Sequence, residues 1–152
     1  MTYIVWTDDF STGIDVIDGQ HKRIIHYINQ LADAQNTKDP GSTSEVLINL
    51  IDYTFSHFAF EESLMDEAGY IAADVHKKTH EGFREKITYF QQKHNDGVDV
   101  TNDLTELLNI WLINHIADDD SSYAPVVKEN IQGINKIENQ GWLKNMSQKF
   151  FN

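Results

Sequence analysis

The chain has no cysteine, which excludes disulfides, iron–sulfur clusters and thiolate zinc sites together. Proline is nearly as scarce: Pro40 and Pro125 are the two in 152 residues, so little stands in the way of long helices. Positive charge is also short. Twelve Lys and Arg against 24 Asp and Glu leave a formal net charge of −12, which would repel a phosphate backbone and an anionic membrane surface. Nucleic acid is therefore not expected as a partner, and the acidity reads as a solvated surface. No apolar run approaches the ~20 residues of a membrane span. The opening Met1-Thr2-Tyr3-Ile4-Val5-Trp6 has no basic segment leading into a long apolar run, so a cytoplasmic protein without a signal peptide is expected. The length suits one domain with a real hydrophobic core.

What is present is helical periodicity. Residues 1–17 do not read as helix; Trp6, Phe10, Ile14 and Ile17 scattered among polar residues suggest an arm laid across the fold. Asp18 is the expected N-cap of a first helix over about 19–36, with His21 in phase with Ile24, Ile25, Ile28 and Leu31. His26 is out of phase and reads as a surface residue. After the turn at 37–41, Ser42-Thr43-Ser44-Glu45 predicts a capping box for a second helix ending near Ala68. Its inward seam is Leu47, Leu50, Thr54, His57, Glu61, Leu64. A third helix over about 72–94 carries His76, His80, Phe83, Ile87 and Phe90, with His94 a surface cap at its end. Asn95-Asp96-Gly97 signals a turn, and Thr101 is the expected cap of a fourth helix whose seam is Leu104, Leu108, Trp111 and His115. Short loops between four helices predict an all-α, up-down-up-down antiparallel four-helix bundle.

Histidine and glutamate occupy seam positions where the pattern demands apolar residues. His57 and Glu61 are four apart, as are His76 and His80, so each pair shares a helix face. In an alternating bundle, His21, His57–Glu61, His76–His80 and His115 all fall at one end. A lone in-phase histidine is more often a hydrogen-bonded core residue than a ligand. Five of them with a glutamate in one layer would cost roughly 1–3 kcal/mol for each unsatisfied polar group, so a metal cage is the better reading. Six ligands exceed the four of an ordinary zinc site, and two bridged metal ions fit better. Glu61 is one candidate bridge. The second should come from Asp118, Asp119 or Asp120. Spacing alone does not choose among them; the geometry of a regular helix prefers Asp119, four residues from His115, whereas Asp120, five away and about 140° round, requires a distorted or terminating helix.

The whole pattern, His21, His57-x-x-x-Glu61, His76-x-x-x-His80 and His115-x-x-x-x-Asp120, resembles the hemerythrins in their short single-domain bacterial form. Gly13-Ile14-Asp15-Val16-Ile17-Asp18-Gly19-Gln20-His21 and Trp111-Leu112-Ile113-Asn114-His115-Ile116 resemble the family as well, and the likeness covers about residues 3–125. It implies Asp120 as the last ligand. It further implies two iron ions with an oxo or hydroxo bridge: His76, His80 and His115 on one, His21 and His57 on the other, Glu61 and Asp120 across both. The ion with fewer ligands would bind dioxygen as a hydroperoxide, reversibly and without catalysis. Phe58, Trp111, Leu112 and Ile116 match the family's ligand-pocket positions, and Tyr123 is expected to support Asp120 from behind.

Three other readings are open. A di-iron oxidase would favour glutamates and a Glu-x-x-His motif, which this chain lacks. A zinc protein would be settled by metal analysis. A sensor would signal through residues 126–152, which extend beyond the likeness. There Val127, Ile131, Ile134 and Ile137, then Trp142, Met146 and Phe150, keep helical spacing. An extra helix folded on the same domain is the expectation; a docking tail for a protein partner or for self-association is the alternative.

Overall fold

The computed structural model describes residues 4–37, 40–138 and 148–151, with backbone alone at 35, 40, 112, 118–119 and 132–138. The described residues form helices and no strands: α1 (Asp15–Thr37), α2 (Pro40–Ala68), α3 (Ala73–Asn95), α4 (Thr101–Leu107) and α5 (Ser121–Glu138). α4 and α5 belong to one helical path joined by two π-helical stretches, Leu108–Leu112 and His115–Asp120. The architecture is a four-helix bundle. No described helix is long and apolar enough to cross a membrane.

Two glycines reverse the chain where the site needs it. At the end of α2, Gly69 has φ +68°; its N–H reaches the Asp66 carbonyl, and that of Tyr70 reaches Met65. At the end of α3, Gly97 has φ +88° and the same pair of bonds recurs, Gly97 to His94 and Val98 to Lys93. Both are Schellman closures, which need a left-handed residue at the helix end. The first folds α3 back along α2, so that His76 and His80 return beside His57 and Glu61.

Several helix boundaries differ from expectation. α1 begins at Asp15, so Asp18 lies inside the helix. Its carboxylate turns back to the arm instead, accepting bonds from Ser11 Oγ, Thr12 N and Thr12 Oγ1, each 2.8 Å. Farther along the arm, Ile4 exchanges two 2.9 Å bonds with the Asn29 amide, and Lys22 sits over the Trp6 ring. α2 opens at Pro40, ahead of the expected capping box; proline suits a first turn whose N–H groups have no helical acceptor. Ser44 of that box faces the end of α3, its hydroxyl 2.7 Å from His94 Nε2, so His94 joins two helices and is not a simple surface cap. Thr101 is the first residue of α4, and its N–H is capped by Asp99 Oδ1 at 3.1 Å. His26 is exposed, as expected.

The largest departure is in the extension: instead of opening a separate helix, residues 126–138 continue α5 through Pro125 to Glu138. This part prolongs the bundle's fourth helix, and α5 packs on α2. Buried apolar residues fall into two clusters. One fills the bundle's middle and includes Ile24, Ile28, Leu50, Phe58, Phe83, Leu104 and Ile116. The other closes one end and joins Ile14, Ile17, Phe60, Leu64 and Met65 to Val127 and Ile131 of α5, with Phe150 and Phe151 packed against it. The Phe151 ring lies 5.0 Å from Tyr53 and 5.9 Å from Phe60. Of the other extension positions, the side chains of Ile134 and Ile137, and Trp142 and Met146 entirely, lie outside the described residues.

Replacing Asp18 by alanine removes three bonds that hold the arm. Asp18→Ala should lower stability to urea by about 1–3 kcal/mol and speed proteolytic cutting between residues 8 and 14. An unchanged cutting rate would show that the arm is held elsewhere.

Candidate metal centre

All seven candidate ligands are buried, from 6 % exposure at His76 to none at His21, Glu61, His80 and Asp120. They form a polar layer whose neighbours on one side belong to the bundle's middle cluster and on the other to the end cluster. Each helix contributes as its periodicity dictates. On α2, His57 Nε2 lies 2.9 Å from Glu61 Oε1, one turn on. His80 of α3 brings Nε2 to 3.5 Å from the same oxygen and to 3.0 Å from His115 Nε2.

Asp120 enters through the wide turn. His115–Asp120 is π-helical, and in that geometry residues five apart stand one turn apart. The side chain therefore points where a regular helix would have placed position 119. Asp120 spans the layer. Its Oδ2 faces His21 Nε2 at 3.0 Å, while Oδ1 faces His76 Nε2 at 3.0 Å and His115 Nε2 at 3.1 Å.

Close as these atoms are, several make no hydrogen bond of acceptable geometry: Nε2 of His21 and His76, Oε1 of Glu61 and both oxygens of Asp120. They crowd a common space with their lone pairs unused. The ligand atoms sort into two sets, each within 4.8 Å: Glu61, His76, His80, His115 and Asp120, and His21, His57, Glu61 and Asp120. Both carboxylates belong to both sets. The arrangement is able to hold metal.

Electrostatics point the same way. For the metal-free chain, burial lowers the pKa of His57 even with Glu61 beside it. Burial and mutual repulsion act to raise Glu61 and Asp120, but the surrounding imidazoles outweigh them and leave both below the usual carboxylate range. Burial opposes the charged form of His80, and the neighbouring Glu61 and Glu62 carboxylates overcome it and raise the pKa. Two ionised carboxylates amid imidazole lone pairs make a cavity suited to cations.

Around the ligands stand residues that spacing did not single out. His57 Nδ1 donates to Gln20 Oε1 at 2.6 Å, which leaves Nε2 as the ring's lone-pair nitrogen. Glu62 Oε1 sits 3.7 Å from His80 Nδ1, beyond hydrogen-bond reach, and the Glu62 carboxylate is held by Arg84, which donates to Oε1 at 3.3 Å and to Oε2 at 2.9 Å. Burial works against the Glu62 charge, yet His80 and Arg84 hold its pKa down at about 2. Gln20 and Glu62 each adjoin a ligand in sequence, and adjacency was the one signal that could have found them. Tyr123 is buried beside the ligands as expected, but its hydroxyl donates to Glu61 Oε2 at 2.5 Å and not to Asp120. Burial and the two carboxylates raise its pKa well above the ordinary phenol value, so it stays a donor.

Phe58 stacks on His80 at 3.9 Å and 11°, and Trp111 on His115 at 4.9 Å and 12°. These two expected pocket residues therefore brace rings of the three-histidine set. Ile116 is buried in the same cluster as Phe58. The Leu112 side chain lies outside the described residues.

A helical bundle with a buried layer of five histidines, a glutamate and an aspartate, poised around shared carboxylates, is a metal-binding protein of the bundle-core type. Comparison with known proteins narrows the class. Residues 12–127 match the family model for the hemerythrin HHE cation binding domain. The chain is 45 % identical over 152 residues to the bacteriohemerythrin of Pseudomonas aeruginosa, covering 99 % of each. It is 32 % identical over 120 residues to the myohemerythrin of Sipunculus nudus, covering 78 % of this chain and 89 % of that one. A wild-type hemerythrin crystal structure superposes with a TM-score of 0.80 at 33 % identity, covering 83 % of this chain and 98 % of the other. The chain belongs to the hemerythrin family. The family model stops at residue 127, but the Pseudomonas relative aligns along almost the whole chain, so the extension has a counterpart there.

The Gln20–His57 bond yields a direct test. Gln20→Ala should weaken metal retention about 10–100-fold in competition with a chelator, while Gln20→Glu, which keeps an acceptor, should restore most of it. Equal retention in all three proteins would show that Gln20 does not orient the ring.

Proposed function

We propose that the chain binds dioxygen reversibly at a non-haem di-iron centre, for storage, delivery or scavenging. His76, His80 and His115 hold one iron, His21 and His57 hold the other, and Glu61 and Asp120 serve both. The observation that carries this reading is the sharing of both carboxylates between a five-member and a four-member ligand set. The smaller set is one imidazole short, and that shortfall leaves a coordination position for a ligand. The hemerythrin relatives support an oxygen-binding function of this kind.

Ferrous ions held in these sets would supply the electrons needed to hold dioxygen. The chain supplies the rest. Gln20 fixes the His57 ring. Tyr123 fixes Glu61 and, with its pKa raised, keeps its own proton. Phe58 and Trp111 lock the rings of His80 and His115. The two apolar clusters keep water from the layer, and Val127, Ile131, Phe150 and Phe151 of the extension take part in the outer one. We therefore read residues 1–125 and the extension as one domain, with the extension as a closure and not a signalling tail.

Five imidazoles with two carboxylates give the metals less anionic donation than the glutamate-rich sites of di-iron oxidases. That favours binding over oxidation of a second substrate. The test is optical. Iron-loaded protein, reduced without air and then exposed to dioxygen, should develop visible absorption that fades on deoxygenation and returns over repeated cycles. Continuous dioxygen consumption with an added substrate, or steady accumulation of free peroxide, would mark it as an oxidase instead.

A further inference from the structure

We propose that Thr54 is the hydrogen-bond donor to the small ligand held beside His21 and His57; the inference rests on the dioxygen-binding reading above. Thr54 is 3 % exposed, and its hydroxyl has no hydrogen-bond partner among the described residues. Threonines within helices commonly return the hydroxyl to the carbonyl four residues back. Two others in this chain do so: Thr105 to Thr101 at 2.7 Å and Thr79 to Val75 at 3.2 Å. Thr54 does not. A buried donor left unpaired is destabilising.

Its position says what the hydroxyl is for. Thr54, His57 and Glu61 lie in that order along the inward seam of α2, each about one turn from the next. Glu61, with Tyr123 bonded to it, occupies the outer side of His57. Thr54 occupies the inner side, roughly 4.5 Å along the helix axis at three residues' rise. The neighbouring helix matches this order, with Ile24 three residues inward of His21. The inner side is otherwise apolar, walled by buried Ile24, Ile28, Leu50, Phe58 and Ile116.

In the four-member set Glu61 stands on the outer side of His57, so a small ligand taken up on the inner side of His21 and His57 would meet this wall. A diatomic or triatomic ligand that gains negative charge there needs a donor, and an apolar wall offers none. The Thr54 hydroxyl is a neutral donor that brings no water and no titratable proton of its own. It slows ligand escape while the pocket stays dry.

The test uses the full chain and two variants. Thr54→Val removes the hydroxyl at nearly constant shape, and Thr54→Ser keeps it. Release of dioxygen, and of azide as an anionic probe of the oxidised iron protein, should be about tenfold faster in Thr54→Val, the order expected for loss of one hydrogen bond to a charged acceptor. Thr54→Ser should be close to wild type. The urea midpoint of the metal-free protein should stay equal or rise in Thr54→Val, because no protein–protein bond is lost. Unchanged release rates, or a clear fall in metal-free stability, would overturn the proposal. Two irons per chain and normal oxygen cycling with unchanged release would refute the role of Thr54 alone. A wild-type protein that takes up no iron pair would refute the dioxygen-binding reading and this inference with it.

Discussion

Five imidazoles and two ionised carboxylates sealed between apolar clusters form a layer that the metal-free chain cannot satisfy from within. Each buried polar atom without a partner costs on the order of 1–3 kcal/mol, and charged ones cost more. Both Asp120 oxygens, Glu61 Oε1 and the Nε2 atoms of His21 and His76 are in that condition together. Against a net stability of roughly 5–15 kcal/mol for a domain, such a concentration at one level is a severe burden. Cations held in the layer would give these lone pairs a partner. The rest of the fold serves that layer. The Schellman turn at Gly69 returns α3 beside α2, and the Asp18 staple holds the arm over the outer end. The prolonged fourth helix adds Tyr123, Val127 and Ile131 to the closure.

Symmetry is broken in two ways. Three imidazoles lie on one side of the shared carboxylates and two on the other. The surroundings differ as well. His57 gives its Nδ1 proton to the neutral amide of Gln20, whereas His80 faces the carboxylate of Glu62, itself held by Arg84. A carboxylate near an imidazole makes it a stronger donor to metal than an amide does. The three-imidazole side thus offers the richer set of donors, further stiffened by aromatic stacking on His80 and His115. The two-imidazole side offers fewer.

Helical period was enough to bring six of the seven candidate side chains into one layer, because α1, α2 and α3 are regular and His115 keeps the seam of the fourth helix. It failed at Asp120 for a physical reason. Nothing in His115-Ile116-Ala117-Asp118-Asp119-Asp120 announces a wide turn. The π-helical segment trades regular hydrogen bonds for placement of one carboxylate, and that exchange gains only once the other ligands are assembled around it. The likeness to a family named the residue, and the structure supplies the reason. The same limit hides the continuity of the extension with the fourth helix. Spacing in 126–137 shows a helix there, but not that it runs unbroken through Pro125 to Glu138. Helix starts were misjudged where side chains found longer-range partners, as Asp18 did with Ser11 and Thr12. Gln20 and Glu62 carry no periodic signal at all, since their role depends on which ring nitrogen faces outward. Thr54 was visible on the seam, but only its unpaired hydroxyl in the folded chain sets it apart.

The unequal division of the ligands is the centre of the account, and anomalous diffraction at the iron edge from crystals of the iron-loaded protein tests it most directly. Two iron peaks per chain are predicted, one bound by His76, His80 and His115 and the other by His21 and His57, with Glu61 and Asp120 reaching both. A single iron peak, or two peaks with Asp119 in place of Asp120 or with the imidazoles divided otherwise, would contradict it.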